Sequence, residues 1–178
     1  MTTPGSTLPD LIDTVAEMAG VFLAGDADRT VVLRDQLLDA EVEPGLLYRA
    51  PVILGAAAYQ AVADAMNADP MNMAVFNVVF NPFQQANIIS VVKSSPTDAA
   101  QAMYNEVRQP RGYQPQILPL YFDFEVSPKL VVLTSGFEAL LTVLFKYSMA
   151  TGFSSFNNTP AEYIERVKAL ALQRLSLA

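Results

Sequence analysis

Glu138 is the residue whose setting most invites chemistry. It stands among Leu133, Phe137, Ala139, Leu140 and Leu141, with Thr134 and Thr142 four residues to either side. A carboxylate buried in such company has its pKa raised, which is one way to make a general acid. The same spacing also describes an amphipathic helix with Glu138, Thr142 and Lys146 along its polar edge, and this plainer reading is the one expected here. On that reading Glu138→Gln changes stability by no more than about 0.5 kcal/mol.

A second pair of acids, Asp123 and Glu125, stands two residues apart. On a strand that spacing puts both carboxylates on one face, about 7 Å apart, suited to a divalent cation or to shared acid–base work. Alternation explains them as well, because Leu118, Leu120, Phe122, Phe124 and Val126 fill the opposite face. They are expected to be the wet side of a half-buried strand. Asp26, Asp28 and Thr30 resemble the start of a calcium loop, but Val31 replaces the sixth-position glycine and Leu37 the twelfth-position glutamate. That site is rejected.

The chain of 178 residues has no His and no Cys. Ser-His-Asp and Cys-His nucleophiles, thiolate metal sites and disulfides are therefore excluded, and with them the usual proton shuttle near neutrality. Neither GxxxxGK[ST] nor GxGxxG occurs, and Gly152–Phe156 only loosely resembles a nucleophile elbow. Asn157-Asn158-Thr159 matches a glycosylation sequon without a secretion signal to give it weight. No metal and no cofactor is expected.

Charged residues make up 16% of the chain, against about 25% in an average soluble protein, and apolar ones 52%. The net charge of −7 is uneven: residues 1–69 carry a net of −8, and residues 70–178 a net of +1. Without a basic block, binding to a nucleic-acid backbone is not expected. From Pro70 to Val92 there is no charge at all, yet Asn72, Asn77, Asn81, Gln84, Gln85 and Asn87 with Pro82 make a membrane span too expensive. Met1–Asp10 has neither positive charge nor an apolar run, so no signal peptide is expected.

Met66, Met71, Met73, Phe76, Phe80 and Phe83 can line an adaptable pocket, although such clusters are more often core. The amides among them are the better clue, because charge-poor, hydrogen-bonding surface suits a subunit contact. The candidate interface is Asn77, Asn81, Phe83, Gln84, Gln85 and Asn87.

The elements that position these residues follow from caps and periodicity. Thr7 caps a helix whose apolar face runs through Leu11, Val15, Met18 and Phe22, with Gly25 at its exit. Asp28 can cap a second helix to about Ala40, and a third is expected from Ala50-Pro51 to about Asn67, central because it is rich in alanine. The β-branched runs at 74–80 and 87–93 read as two strands, and a third strand covers 118–126. Helices are expected at 97–108, at 129–152 (where Leu130–Leu133 can instead extend the strand) and at 161–177.

The expected fold is α+β and helix-dominated, about six helices around a small antiparallel sheet or hairpin. It forms one domain over residues 1–178, with a possible loop at 110–119. The expected function is that of a non-enzymatic structural or assembly subunit, self-associating or part of a larger particle such as a phage virion or tail. Its place is then cytoplasmic or within the virion, and its partners are protein subunits. The alternatives are a small apolar-ligand-binding domain and a carboxylate- or metal-dependent enzyme.

Overall fold

A computed structural model of the chain describes residues 7–85, 96–108, 128–152 and 159–176. These residues form seven α-helices: α1 Leu8–Leu23, α2 Ala27–Asp39, α3 Pro44–Ala65, α4 Met73–Gln85, α5 Pro96–Arg108, α6 Pro128–Ala150 and α7 Pro160–Ser176. The described residues contain no strand, and the expected sheet or hairpin is overturned in favour of an all-helical arrangement. The expected strand at 74–80 is the body of α4. Those at 87–93 and 118–126 lie outside the described residues.

Side-chain hydrogen bonds explain why α4 is helical despite its β-branched content. Asp69 Oδ1 accepts from Met71 N at 2.8 Å, and Asn72 Oδ1 from Ala74 N at 3.0 Å, so the chain is turned into a helix before the valines begin. The valines then fall at helical spacing. Val75 and Val79 are buried, Phe76 and Phe80 meet at 4.9 Å between ring centroids, and Asn77 and Val78 face outward. Burial at a 3.6-residue period outweighs β-propensity, which is a weak preference. Pro82 sits in the last turn of α4 and does not end it.

Caps fix the other helices. Thr7 Oγ1 accepts from Asp10 N at 3.3 Å to start α1, and Gly25 at φ 86° turns the chain out of it. The cap of α2 is Asp26, whose Oδ1 accepts from Arg29 N at 3.0 Å, while Asp28 lies in the first turn. The α3 helix begins at Pro44, earlier than the expected Ala50-Pro51, because extended Glu43 precedes a proline already set for the first turn. Pro51 is then interior, where it gives up a backbone donor.

That interior proline is accommodated by packing. Every residue from Ala50 to Tyr59 is buried, so α3 runs through the centre, as its alanine content predicts. It is long and apolar enough to cross a membrane, but 78% of its apolar window is buried inside the fold. It packs against α1, α5, α6 and α7, most extensively against α6. Two glycines permit the closest approaches. A Cβ on Gly136 would meet Pro51 Cγ at 2.6 Å, and one on Gly55 would meet the Met103 thioether.

An aromatic group ties α3, α4 and α5 together. Tyr59 stacks on Phe80, meets Tyr104 edge-on, and donates its hydroxyl to Pro70 O at 2.9 Å. Tyr104 donates in turn to Met71 O at 3.0 Å. Phe76 and Phe80 are thus core residues, while Met66 and Met73 are exposed.

The Pro51–Gly136 contact gives a stability prediction. Gly136→Ala is expected to lower stability by about 1–3 kcal/mol, since a rigid ring and a helix backbone must separate to admit the methyl group. Gly45→Ala, where the added Cβ meets nothing within 4 Å, is expected to be neutral or to stabilise by up to about 1 kcal/mol. Urea unfolding of the two variants checks the contrast, and equal midpoints would contradict it.

Candidate functional site

Three helices leave an apolar groove of about 440 Å³ between them. Its α6 wall is Leu130, Leu133, Thr134, Phe137, Glu138 and Leu141, residues spaced by three and four and therefore on one face. Thr30, Arg34 and Leu38, each four apart, form the α2 wall. Met18 and Phe22 close it from α1. Phe22, 48% exposed, meets Phe137 edge to face with centroids 5.9 Å apart.

Polar contacts outside the groove pin its walls. Lys129 Nζ donates to Ala40 O at 2.7 Å, joining the start of α6 to the end of α2. Arg29 pairs with Glu17 at 2.8 Å and joins α2 to α1. Both groups of that pair are well exposed, so it adds little stability but does restrict how the helices diverge.

Glu138 is the chemically distinctive member. It is 5% exposed, and burial alone pushes its carboxyl up from 4.5 to about 7. Among the described residues no side chain donates to that carboxylate. Thr142 donates at 3.1 Å to the Glu138 backbone carbonyl instead, and Thr142 is itself buried. Arg34, the other charged group of the groove, pairs with Asp35 at 3.0 Å. The solvated polar edge of Glu138, Thr142 and Lys146 is therefore corrected: the first two are buried, and only Lys146 is partly open to solvent. A sequence signal for this does exist, since no Lys or Arg stands within one helical turn of Glu138 on either side.

A second buried acid escaped sequence reasoning altogether. Glu106 of α5 is 4% exposed, and its Oε2 has no hydrogen-bond partner among the described residues; the same holds for Nε of Arg49 on α3. Burial raises the Glu106 carboxyl, opposed by Arg49 and by Arg174 of α7, whose guanidinium donates to Glu106 O at 3.2 Å. These three residues are far apart in sequence and no periodicity links them. Their arrangement serves to join α3, α5 and α7.

Another depression, of about 460 Å³, lies between α1 and α7. Its Lys168 is already engaged by Asp13 at 3.4 Å and Glu165 at 3.1 Å. Glu17, also on its wall, pairs with Arg29, so the charged groups there all have partners.

The other sequence candidates are dispersed. Asn77 is exposed on α4 beside Met73, Ala74 and Val78, while Asn81, Phe83, Gln84 and Gln85 belong to the same helix, their side chains outside the described part. Asn87, Asp123 and Glu125 lie outside the described residues. Asp26 caps α2, and Thr30, from the rejected calcium loop, lines the groove and donates to Asp26 O at 2.7 Å. Among the described residues no three acids gather as a metal site would require. Compared with known proteins, the chain matches no family model, no curated protein sequence and no solved structure.

The raised Glu138 carboxyl has a signed consequence for stability. Its folded pKa exceeds the unfolded one, so the folded state holds the extra proton between about pH 4.5 and 7. Stability from this group is full below that window, falls through it and is flat above. Against Glu138→Gln, the wild type is expected to be equally stable near pH 4.5 and weaker by on the order of 2–3 kcal/mol at pH 8. Urea midpoints of both proteins across this range measure the difference. A gap that stays below about 0.5 kcal/mol throughout would return Glu138 to a solvated edge.

Proposed function

We propose that this chain is a non-enzymatic binding protein that takes a small, largely apolar molecule into the groove between α1, α2 and α6. The groove itself carries the reading. Its size of about 440 Å³ lies in the range of small-molecule sites, and its walls are mainly Leu, Phe and Met with one convergent acid. Phe22 leaves roughly half its surface in water at the edge of the site, where a ligand would cover it.

A neutral fluorescent probe such as N-phenyl-1-naphthylamine tests this. One saturable site is expected per chain, and Leu141→Arg, which puts a bulky charge into the groove wall, should weaken it at least tenfold. Binding that does not saturate, or that ignores Leu141→Arg, would contradict the groove.

A second reading is assembly, now through a helix face and not a strand edge. The outward side of α4 presents Met73 at 52% and Val78 at 44% exposure, with Asn77 between them and no charge anywhere on that helix. Such charge-poor surface suits a subunit contact, in a particle or in a self-assembly. Light scattering should then give a multiple of 19.3 kDa that falls to one chain in Asn77→Lys/Val78→Lys. A wild-type monomer, or a mass unchanged by the two lysines, would remove this reading.

A further inference from the structure

Resting on the groove reading, we propose that the ligand is a lipophilic ammonium: an apolar body carrying one protonated amine that sits against the Glu138 carboxylate. The groove contains one acid without a described donor, in a wall that is otherwise apolar or hydroxyl-bearing. A buried carboxylate is stabilised by keeping its proton or by meeting a cation, and among the residues that line the groove the one cation is Arg34. Arg34 lies beside Asp35 at 3.0 Å, and burial is the sole cause of the raised Glu138 carboxyl, so Arg34 does not compensate it. From the other neighbours of α6 little arrives. The α1 helix offers Met18 and Phe22, α4 carries no charged residue, and Arg49 of α3 acts on Glu106 of α5.

An ammonium fits what surrounds the acid. The Thr30 hydroxyl spends its proton on Asp26 O and keeps lone pairs that can accept from the amine. Phe22 and Phe137 present rings at the same site, whose faces attract a cation and whose bulk covers an apolar body. A carboxylate ligand would meet Glu138 with like charge or have to share its proton. A neutral alcohol would satisfy one lone pair and leave the ionised form uncompensated.

The proposal carries a proton balance. Below neutrality Glu138 holds a proton, and an arriving ammonium displaces it, so each binding event releases close to one proton to the buffer at pH 6. At pH 8 the acid is already ionised and the release disappears. Affinity for the amine therefore rises with pH through the Glu138 transition, about tenfold between pH 6 and 8.

Isothermal titration calorimetry with three isosteric probes, 4-phenylbutylamine, 4-phenylbutanol and 4-phenylbutyrate, decides the matter at pH 6, 7 and 8 in buffers of different ionisation enthalpy. The expected result is a preference for the amine of at least tenfold at pH 8, shrinking at pH 6, with proton release only at the lower pH. In Glu138→Gln the amine and alcohol should bind alike. If the wild type binds amine and alcohol equally, or prefers the carboxylate, the ammonium proposal is overturned while the groove reading survives. If none of the three probes binds, the groove reading itself is wrong and the proposal falls with it. The wild-type preference alone suffices for the decision, even if the glutamine variant folds poorly.

Discussion

The close packing of α3 against α6, where the Pro51 ring fills the space above Gly136, is the constraint on which the rest of the fold depends. A helix that is buried throughout its middle must let its neighbours come near, and the alanine run Ala56–Ala58 together with Gly55 makes that possible. With α3 central, α1, α5, α6 and α7 all find an apolar partner in it. The α2 helix does not. It rests chiefly on α1 and buries only Leu33 and Leu37. The groove is the space this leaves between α2 and the outer face of α6, bridged at one end by Lys129 and Ala40.

Much of the fold is legible in the sequence because helix starts carry chemical marks. Thr7 announces α1, and the helices expected at 97–108, 129–152 and 161–177 start within one residue of where α5, α6 and α7 begin, each at a proline. The failures have the same origin in reverse. Pro51 looks like a first-turn proline, yet Pro44 does that work seven residues earlier and Pro51 is kept for its fit to Gly136. Val75, Val78 and Val79 look like a strand, but Asp69 and Asn72 set the turn and Tyr59 and Tyr104 complete the burial of Phe76 and Phe80. Each error thus combines a local signal passed over, Pro44 in one case and the Asp69 and Asn72 turn in the other, with tertiary burial that a local pattern cannot contain.

The site was partly legible. Glu138 stood out by its apolar company, and the amphipathic reading failed because it assumed that a helix face bearing Glu138 and Thr142 must be wet. Glu138 instead lies in the wall of a groove shared with α1 and α2, which sequence periodicity does not place near α6. The groove walls could not be inferred for the same reason. Burying one carboxylate without a described partner works against stability, whereas a glutamine of the same shape would avoid the ionisation penalty. A buried carboxylate in the wall of a ligand-sized groove is therefore the observation on which the proposed binding site rests.

The proposed site depends on the protonation of one side chain, and the side-chain carboxyl carbon of Glu138 reports it directly. In protein labelled with carbon-13 at glutamate carboxyls and assigned by comparison with Glu138→Gln, that resonance should titrate with a midpoint near pH 7. Addition of 4-phenylbutylamine at pH 6 should then move it to the ionised position. A midpoint near the ordinary 4.5 would mean that water reaches the carboxylate freely, and it would contradict the buried acid on which the ammonium site rests.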